Sequence, residues 1–440
     1  MVSRGVVSIG KGSGGAEFVA LELAQHLAAN GEEVVLVADV HSGALDRAPE
    51  RLSIASVGTY QPLGRLVGRV PVDFPRWVLQ HLLGNIRAAR RARLILKEDA
   101  GGFDVVHVHG ALATILLGRT MRRQADGVLL VYTEHDATPW SCRYRRWSER
   151  VVRHCVYRLV NLRACRAAAV VVTNYPALAD ELADRAGIPR SRLATVRNAV
   201  TPAWLTQGEH GAESVRARHG FPRYCLYVGS LVDRKCPDIL MRALAQVGLP
   251  CIFVGDGPMR ASLERLASKA GVAERVVFTG ALERHDLGHY FSGADALVLP
   301  SVSETAALVA LEALIAGVPV VASNLTSIAS FVRHAENGLL VDPGDEASLV
   351  RALSLIETDK AMRTKLRHGA KISGQSVASW PEVASELRML YAQHRPVPVV
   401  PRQRDGDADR AGADALVSAG LTPGARTVLT AAKPERPGRG

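Results

Sequence analysis

The sequence predicts an α/β protein built from doubly wound parallel sheets. Apolar runs of strand length alternate with helical stretches from Val6 onward, and such alternation puts helices on both faces of a parallel sheet. A glycine-rich turn, Gly10 to Gly15, joins the first strand to the first helix, a typical opening for these sheets. The alternation starts afresh at Cys225, so a second unit of the same class is expected. With 440 residues, 48% of them hydrophobic, the chain has material for two or three domains with full cores.

The first unit reads as a strand at Val6–Ile9, a helix from Ala16 to Asn30 stopped by Gly31, and a strand at Val34–Ala38. Glycines at a helix start let backbone approach a ligand, beside unpaired N–H groups and the positive end of the dipole. The turn has no Gly-Lys-Ser/Thr at Walker spacing and fits G-x-G-x-x-G poorly, so alone it is only a tight turn. Residues 42–75 are rich in Gly, Pro and Ser and carry no assignable element. A helix is expected over Arg76–Lys97, with Val78, Leu79, Leu82, Leu83, Ile86 and Leu94 on one face. Strands are expected at Asp104–Val108, Leu129–Thr133 and Ala168–Thr173. The second of these runs into Glu134-His135-Asp136, and the carboxyl end of a parallel strand is where such sheets place ligand contacts. His135 could be a satisfied core residue, but its place after that strand favours a functional reading, and His107 reads as structural. Arg143–Arg166 reads as one basic helix with an apolar line of Trp147, Val151, Cys155 and Leu159. A solvated face, with arginine stems covering apolar surface, is preferred there. A surface that meets anionic lipid or an anionic acceptor is the sharper alternative.

In the second unit, strands are expected at Cys225–Val228, Cys251–Val254 and Val276–Thr279, and helices at Pro237–Val247 and Asp286–Ser292. Arg234 and Lys235 fall in the loop after the first strand. Adjacent cations there suit a diphosphate, because Arg forks and Lys acts as a point charge, although an exposed turn pair is common. From Leu297 the chain reads strand (to Leu299), turn (Pro300–Ser303), helix (Thr305–Ala316) and strand (Val318–Ala322). Glu304 sits at the mouth of that helix and Glu312 eight residues on, about two turns away, so both are expected near one side. A glutamate in so apolar a run needs a polar partner. Taken alone, the first could be a cap and the second a helix former. Trp380–Gln393 reads as a terminal helix. In residues 396–440 Pro and Gly make up about a quarter, a composition that argues for disorder.

The net charge of +11 admits nucleic acid, an anionic membrane or an anionic small substrate as partner. Nucleic acid is not expected, since no zinc finger, RNA-recognition signature or interleaved basic-aromatic surface is present. The six cysteines form no C-x-x-C pair and read as reduced, mainly buried side chains. No uncharged apolar run reaches about 18 residues, and no charged leader with an apolar core precedes Val6. A cytoplasmic protein is expected, with peripheral contact at the inner membrane face as the alternative.

Several of these stretches together resemble the retaining glycosyltransferases of family four. The resemblance rests on Gly14-Gly15-Ala16-Glu17 with Leu23-Ala24, Asp104–Gly110 (D-V-V-H-x-H-G), and Val131–Asp136 (V-x-T-x-H-D). It continues through Gly229–Lys235 (G-x-L-x-x-x-K), Gly255–Pro258, the E-x7-E pair Glu304 and Glu312, and Asn337–Asp345. It covers residues 1–395 and is densest over 225–345. It implies the GT-B architecture, two facing Rossmann-like domains with a cleft between them. Residues 1–200, completed by a helix at 376–395, would form the acceptor side, and 201–375 the nucleotide-sugar side.

The same resemblance implies hexosyltransferase-type transfer from a nucleotide sugar with retention of configuration, without cofactor or metal. Glu304 would hold sugar hydroxyls near the developing oxocarbenium, and His135 would contact the sugar from the first domain. Glu312 would accept from the ribose hydroxyls. Arg234, Lys235 and the helix start at Leu308 and Val309 would neutralise the diphosphate. Gly14 and Gly15 would line the cleft, and Gly255 and Gly257 would lie near the nucleoside. The acceptor is open between a glycan, a lipid-linked sugar and a small molecule. The chain departs from the family at Ser230, where many relatives have Arg, at Ala307, where Gly is usual, and at Thr326–Ser330, which lacks a second acidic residue. Two other functions therefore stay open: a non-catalytic nucleotide-sugar-binding partner protein, and a sugar-nucleotide epimerase.

Overall fold

The computed structural model describes residues 4–8, 15–38, 49–56, 74–98, 102–124, 127–142, 147–201, 205, 211–305 and 307–395. Gly14, Arg143 to Arg146 and the tail from 396 lie outside them.

The first half runs β1 (Arg4–Ser8), α1 (Gly15–Ala29), β2 (Glu33–Ala38), β3 (Leu52–Ser56), α2 (Phe74–Glu98), β4 (Val105–Val108), α3 (Ala111–Gln124) and β5 (Leu129–Thr133). It continues with α4 (Trp147–Val156), a π-helical turn (Tyr157–Asn161), α5 (Leu162–Ala167), β6 (Val170–Thr173), α6 (Pro176–Ala186) and β7 (Leu193–Thr195). The seven strands form a parallel sheet in the order β3-β2-β1-β4-β5-β6-β7.

The second half runs α7 (Ala212–His219), β8 (Cys225–Val228), a 3-10 turn (Asp233–Lys235), α8 (Pro237–Leu244), β9 (Cys251–Val254), α9 (Arg260–Lys269), β10 (Val276–Gly280), α10 (Arg284–Gly293) and β11 (Ala296–Leu299). Then come α11 (Leu308–Ile315), β12 (Val320–Ser323), α12 (Thr326–Ala329), β13 (Gly338–Val341), α13 (Glu346–Thr358), α14 (Lys360–Gly374) and α15 (Trp380–His394). Its six-stranded parallel sheet has the order β10-β9-β8-β11-β12-β13. The molecule is thus built on two Rossmann-like sheets.

Strands β4, β5, β6, β9, β11 and β12 are buried along their whole length, as parallel strands covered on both faces must be. One face of the first sheet packs Val19, Leu23 and Leu27 of α1 against Trp380, Val383 and Leu387 of α15, so the last helix seals the first sheet. A capping box between Ser379 and Glu382 starts α15. Arg388 then donates to Glu32 at 2.8 Å. Trp380 is 2% exposed, and truncating so large a buried side chain costs about 3–5 kcal/mol.

Three local expectations change. The helix expected from Thr305 begins at Leu308, because Ala307 holds a left-handed φ of 40° that no right-handed helix can continue through. Glu304 is therefore a loop residue, and only Glu312 belongs to the helix. The single basic helix expected over Arg143–Arg166 is divided by the π-helical turn into α4 and α5. Finally, a strand, β3, lies inside the unassigned 42–75 stretch, paired along β2. Strand β7 and helices α3 and α6 are likewise unmarked by the sequence pattern.

Candidate active site at the two switch points

Each sheet reverses its winding once, between β1 and β4 and between β8 and β11. Ligands of doubly wound sheets bind in the crevice outside the strand carboxyl ends at such points. The loop after β8 carries Arg234 and Lys235, and the loop after β11 carries Ser301 and Glu304. The two loops are tied together by a hydrogen bond from Val302 N to Arg234 O, 3.0 Å.

Glu304 is 7% exposed, and the Lys235 ammonium pairs with its Oε1. Ser301 Oγ donates to the same oxygen at 2.6 Å, and Ser327 Oγ donates to the Glu304 carbonyl at 2.7 Å. No hydrogen bond to Oε2 is formed among the described residues. Burial alone would push the Glu304 carboxyl up, but the Lys235 and Arg234 charges and the two hydrogen bonds outweigh it and hold the group below its ordinary value. Arg234 itself is exposed. Glu312 is buried on α11 at 6% exposure.

Two of the three non-glycine residues with left-handed backbone among the described residues flank this pair: Cys236 (φ 50°), next to Lys235, and Ala307 (φ 40°), three after Glu304. Strained backbone of this kind clusters at ligand sites. Leu308 and Val309 are the first residues of α11, whose opening N–H groups have no intrahelical acceptor. Leu308 packs against hydrophobic clusters of both halves, so this helix start lies where the two sheets' cores meet.

Gly255 and Gly257 are required by packing. A Cβ on Gly255 would lie 2.1 Å from Gly229 O, and one on Gly257 would lie 2.5 Å from Leu231 O. The β9 loop thus lies directly on the loop that leads to Lys235. Asn337 and Asp345, at the ends of the sequence run quoted above, serve the fold. Asn337 donates to Phe331 O and Ser373 Oγ, and Asp345 caps α13.

At the first switch point Gly15 opens α1, and the side chains after β4 and β5 form a histidine stack. His107 and His109 stack at 4.6 Å between centroids, and His109 and His135 at 5.0 Å. His109 Nδ1 and His135 Nε2 are 2.7 Å apart and share one hydrogen bond. His107 lies between Tyr391 Oη (2.7 Å) and Thr133 Oγ1 (2.6 Å), which fixes it as the structural member. Burial, aided by the His135 charge, lowers His107 to about 3. Burial lowers His135 to about 4 against the pull of Asp136. His109 Nε2 is buried without a partner among the described residues.

Beneath His135, fully buried Glu134 accepts from Asp136 N at 2.8 Å and from Asn161 Nδ2 at 3.1 Å. Asn161 is the last residue of the π-helical turn, and it also donates to Asp136 at 2.8 Å. Burial, and then the Asp136 charge, raise the Glu134 carboxyl to about 8. Sequence reasoning missed His109, Glu134, Asn161, Ser301 and Ser327. His109 and Glu134 stood inside quoted motifs and Ser301 in the expected turn, whereas nothing in the sequence announces the π-helical turn that delivers Asn161.

The loop carrying His135 reaches the loop carrying Glu304 where Cys142 Sγ contacts Ser303 Oγ at 3.1 Å. A cavity of about 770 Å³, lined by Asn174, Arg197, Thr305, Ser327, Phe331 and Met389, adjoins the Glu304 loop through Thr305 and Ser327. None of Lys235, Glu304, Arg234 or His135 lines it.

Known proteins share this arrangement. The family described as glycosyl transferases group 1 matches residues 213–373, and glycosyltransferase family 4 matches residues 13–204. A D-inositol 3-phosphate glycosyltransferase of Acidothermus cellulolyticus is 32% identical over 310 residues, 66% of this chain and 67% of its own. An uncharacterised glycosyltransferase of Methanocaldococcus jannaschii is 25% identical over 378 residues, 84% of this chain and 92% of its own. Among solved structures, a sucrose-phosphate synthase of Thermosynechococcus elongatus superposes with a TM-score of 0.71 at 23% identity, covering 89% of this chain and 99% of that one. HepE of Anabaena, in complex with UDP, superposes with a TM-score of 0.68 at 18% identity, covering 89% and 100%. Both halves of the cleft are matched, and the chain belongs to the group 1 glycosyltransferases of GT-B architecture, as an enzyme of the hexosyltransferase type.

Proposed function

We propose that the chain transfers a hexosyl group from a nucleoside diphosphate sugar to an acceptor hydroxyl, with retention of configuration and without a metal. The observation that carries this reading is the buried Lys235–Glu304 pair at the second switch point, with Oε1 doubly held and Oε2 without a hydrogen bond among the described residues. Oε2 is then the natural acceptor for a sugar hydroxyl, and Glu312 for the ribose. Arg234, exposed beside the pair, takes the diphosphate together with Lys235 and the first N–H groups of α11. Charge grows on the leaving diphosphate as the glycosidic bond breaks, and fixed cations bind it more strongly then than in the ground state. His135, neutral near pH 7, offers hydrogen bonds to the sugar without adding a cation. UDP-sugars are the first donors to try, because HepE was solved with UDP and with UDP-glucose. D-inositol 3-phosphate is the first acceptor, given the relatives named for it.

The test is release of free nucleoside diphosphate from UDP-, GDP-, ADP- and dTDP-sugars, with and without acceptor, in the presence and absence of EDTA. Acceptor-dependent release that survives EDTA and vanishes in Glu304→Ala and Lys235→Ala is the expected result. NMR of the product should show the donor's anomeric configuration. Silence across the panel, with no nucleotide shifting the melting temperature, would overturn the proposal; an inverted product would overturn retention.

A further inference from the structure

Helix α4 is amphipathic, yet none of its described side chains is buried. Trp147, Val151, Val152 and Val156 fall within one half of its circumference, the side a surface helix ordinarily turns toward the core. Here that face points outward: Trp147 is 79% exposed, Val151 40%, Val152 44% and Val156 50%. Leu159, in the π-helical turn, adds another at 54%. Five of the nine exposed large hydrophobic residues among those described therefore lie within residues 147–159.

The buried side of the segment is accounted for. Tyr157 is 4% exposed, and Trp140 packs edge-on against His154 and Tyr157 at 6.4 and 5.9 Å. The same segment carries cations, with Arg150, Arg153, Arg158, Arg163 and Arg166 all exposed. Between residues 143 and 166 the sequence holds eight arginines and one glutamate, +7 of the chain's +11.

We infer that the outward face of α4 and the π-helical turn docks on an anionic lipid surface. A helix with apolar side chains including a tryptophan on one side and arginines on the other has the composition of helices that lie in the interfacial plane. The apolar row enters the headgroup boundary, and the arginines meet the negative surface potential. A second copy of the chain is the wrong occupant, because a twofold contact sets the exposed arginines of this segment against those of its copy. The docked segment is bonded to the His135 loop through Asn161 and Trp140, so docking brings that loop to the lipid surface.

The experiment is flotation of the full-length chain with vesicles of phosphatidylcholine alone or with about one-third phosphatidylglycerol. It reads lipid binding and not sugar transfer, so its failure is separable from failure of the proposed activity. Binding should need phosphatidylglycerol, weaken by about tenfold or more without it, and fall as salt shortens the Debye length from about 10 Å at 0.1 M to about 3 Å at 1 M. Trp147→Ser/Val151→Ser/Val156→Ser and, separately, Arg150→Glu/Arg153→Glu should abolish binding while circular dichroism and melting temperature stay those of the wild type. Absent binding, equal binding to both vesicles, or full binding by folded variants overturns the inference. So does a concentration-dependent dimer in light scattering that the serine variant dissolves, since it would assign the face to self-association.

Discussion

The two switch points use opposite electrostatics. At the first, burial that no counter-charge overcomes keeps the ionisable groups neutral: His107 and His135 are lowered to about 3 and about 4, and Glu134 is raised to about 8. At the second, burial is overcome by two cations, and Glu304 stays a carboxylate. The depth of burial is similar, so the difference lies in partners. A polyanionic leaving group needs charges already fixed in place, whereas acceptor and sugar hydroxyls need a hydrogen-bonding surface that does not compete for the diphosphate.

The comparison breaks most readily at Lys235. Lys235→Met leaves the Glu304 carboxylate buried without its nearer cation, and uncompensated buried charges cost about 3–5 kcal/mol. We expect donor turnover to fall about a thousandfold and the chain to melt at a lower temperature. Adding Glu304→Gln should restore most of the stability and none of the activity, because the two side chains act as one unit. Urea titrations and donor-release rates on the single and double variants check both outcomes. A loss below about tenfold would show that the second switch point does not depend on paired charge.

The neutral side is sharpened by pH. Glu134 has a folded pKa of about 8, above the ordinary carboxyl value, so its contribution is full at low pH and is lost as pH rises through about 8. His107 and His135 have lowered folded pKa values, so their contribution is present above about 6.5 and is lost as pH falls toward about 4 and about 3. Glu134→Gln keeps an amide able to accept from Asn161 and removes the alkaline term. Its melting temperature relative to wild type should therefore climb between pH 6 and pH 9 by about 2–4 °C, with little change in the acid limb. A parallel pair of melting curves across that range would mean Glu134 titrates as an ordinary carboxyl.

The charged half was far more legible in the sequence than the neutral one. Lys235 and Glu304 sit in loops whose positions follow directly from strand order, and β8, β9 and β5 fall where their apolar runs stand. Glu312, a glutamate in an apolar run, and the adjacent cations Arg234 and Lys235 are also visible in the sequence. The neutral half depends on tertiary packing. Glu134 and Asn161 meet only because a π-helical turn shifts the helix register by one residue, and His107 is fixed by Tyr391, 284 residues away. Strand β3 was hidden for another reason: it is a short edge strand between turn-forming residues, paired on one side only.

The smallest effect concerns the backbone at the charged half. Ala307 is 6% exposed and holds φ 40°, ψ 45° at the start of α11, where the family motif that the sequence resembles implies glycine. A non-glycine residue in this region costs about 1–2 kcal/mol, while glycine adds about 0.5–1 kcal/mol of unfolded-state entropy. Ala307→Gly should therefore stabilise the chain by only about 0.5 kcal/mol, within reach of careful chemical denaturation. Removing the Cβ also opens the approach to the first N–H groups of α11, so KM for the donor should drop about twofold with kcat unchanged. Ala307→Val carries a branched side chain into the same conformation and should lose about 2 kcal/mol or more. Were the glycine variant clearly less stable, the methyl group's packing in the surrounding core would outweigh the strain. The left-handed turn would then be held by the fold itself, as the register of the neutral half is, and not merely tolerated for the sake of the phosphate site.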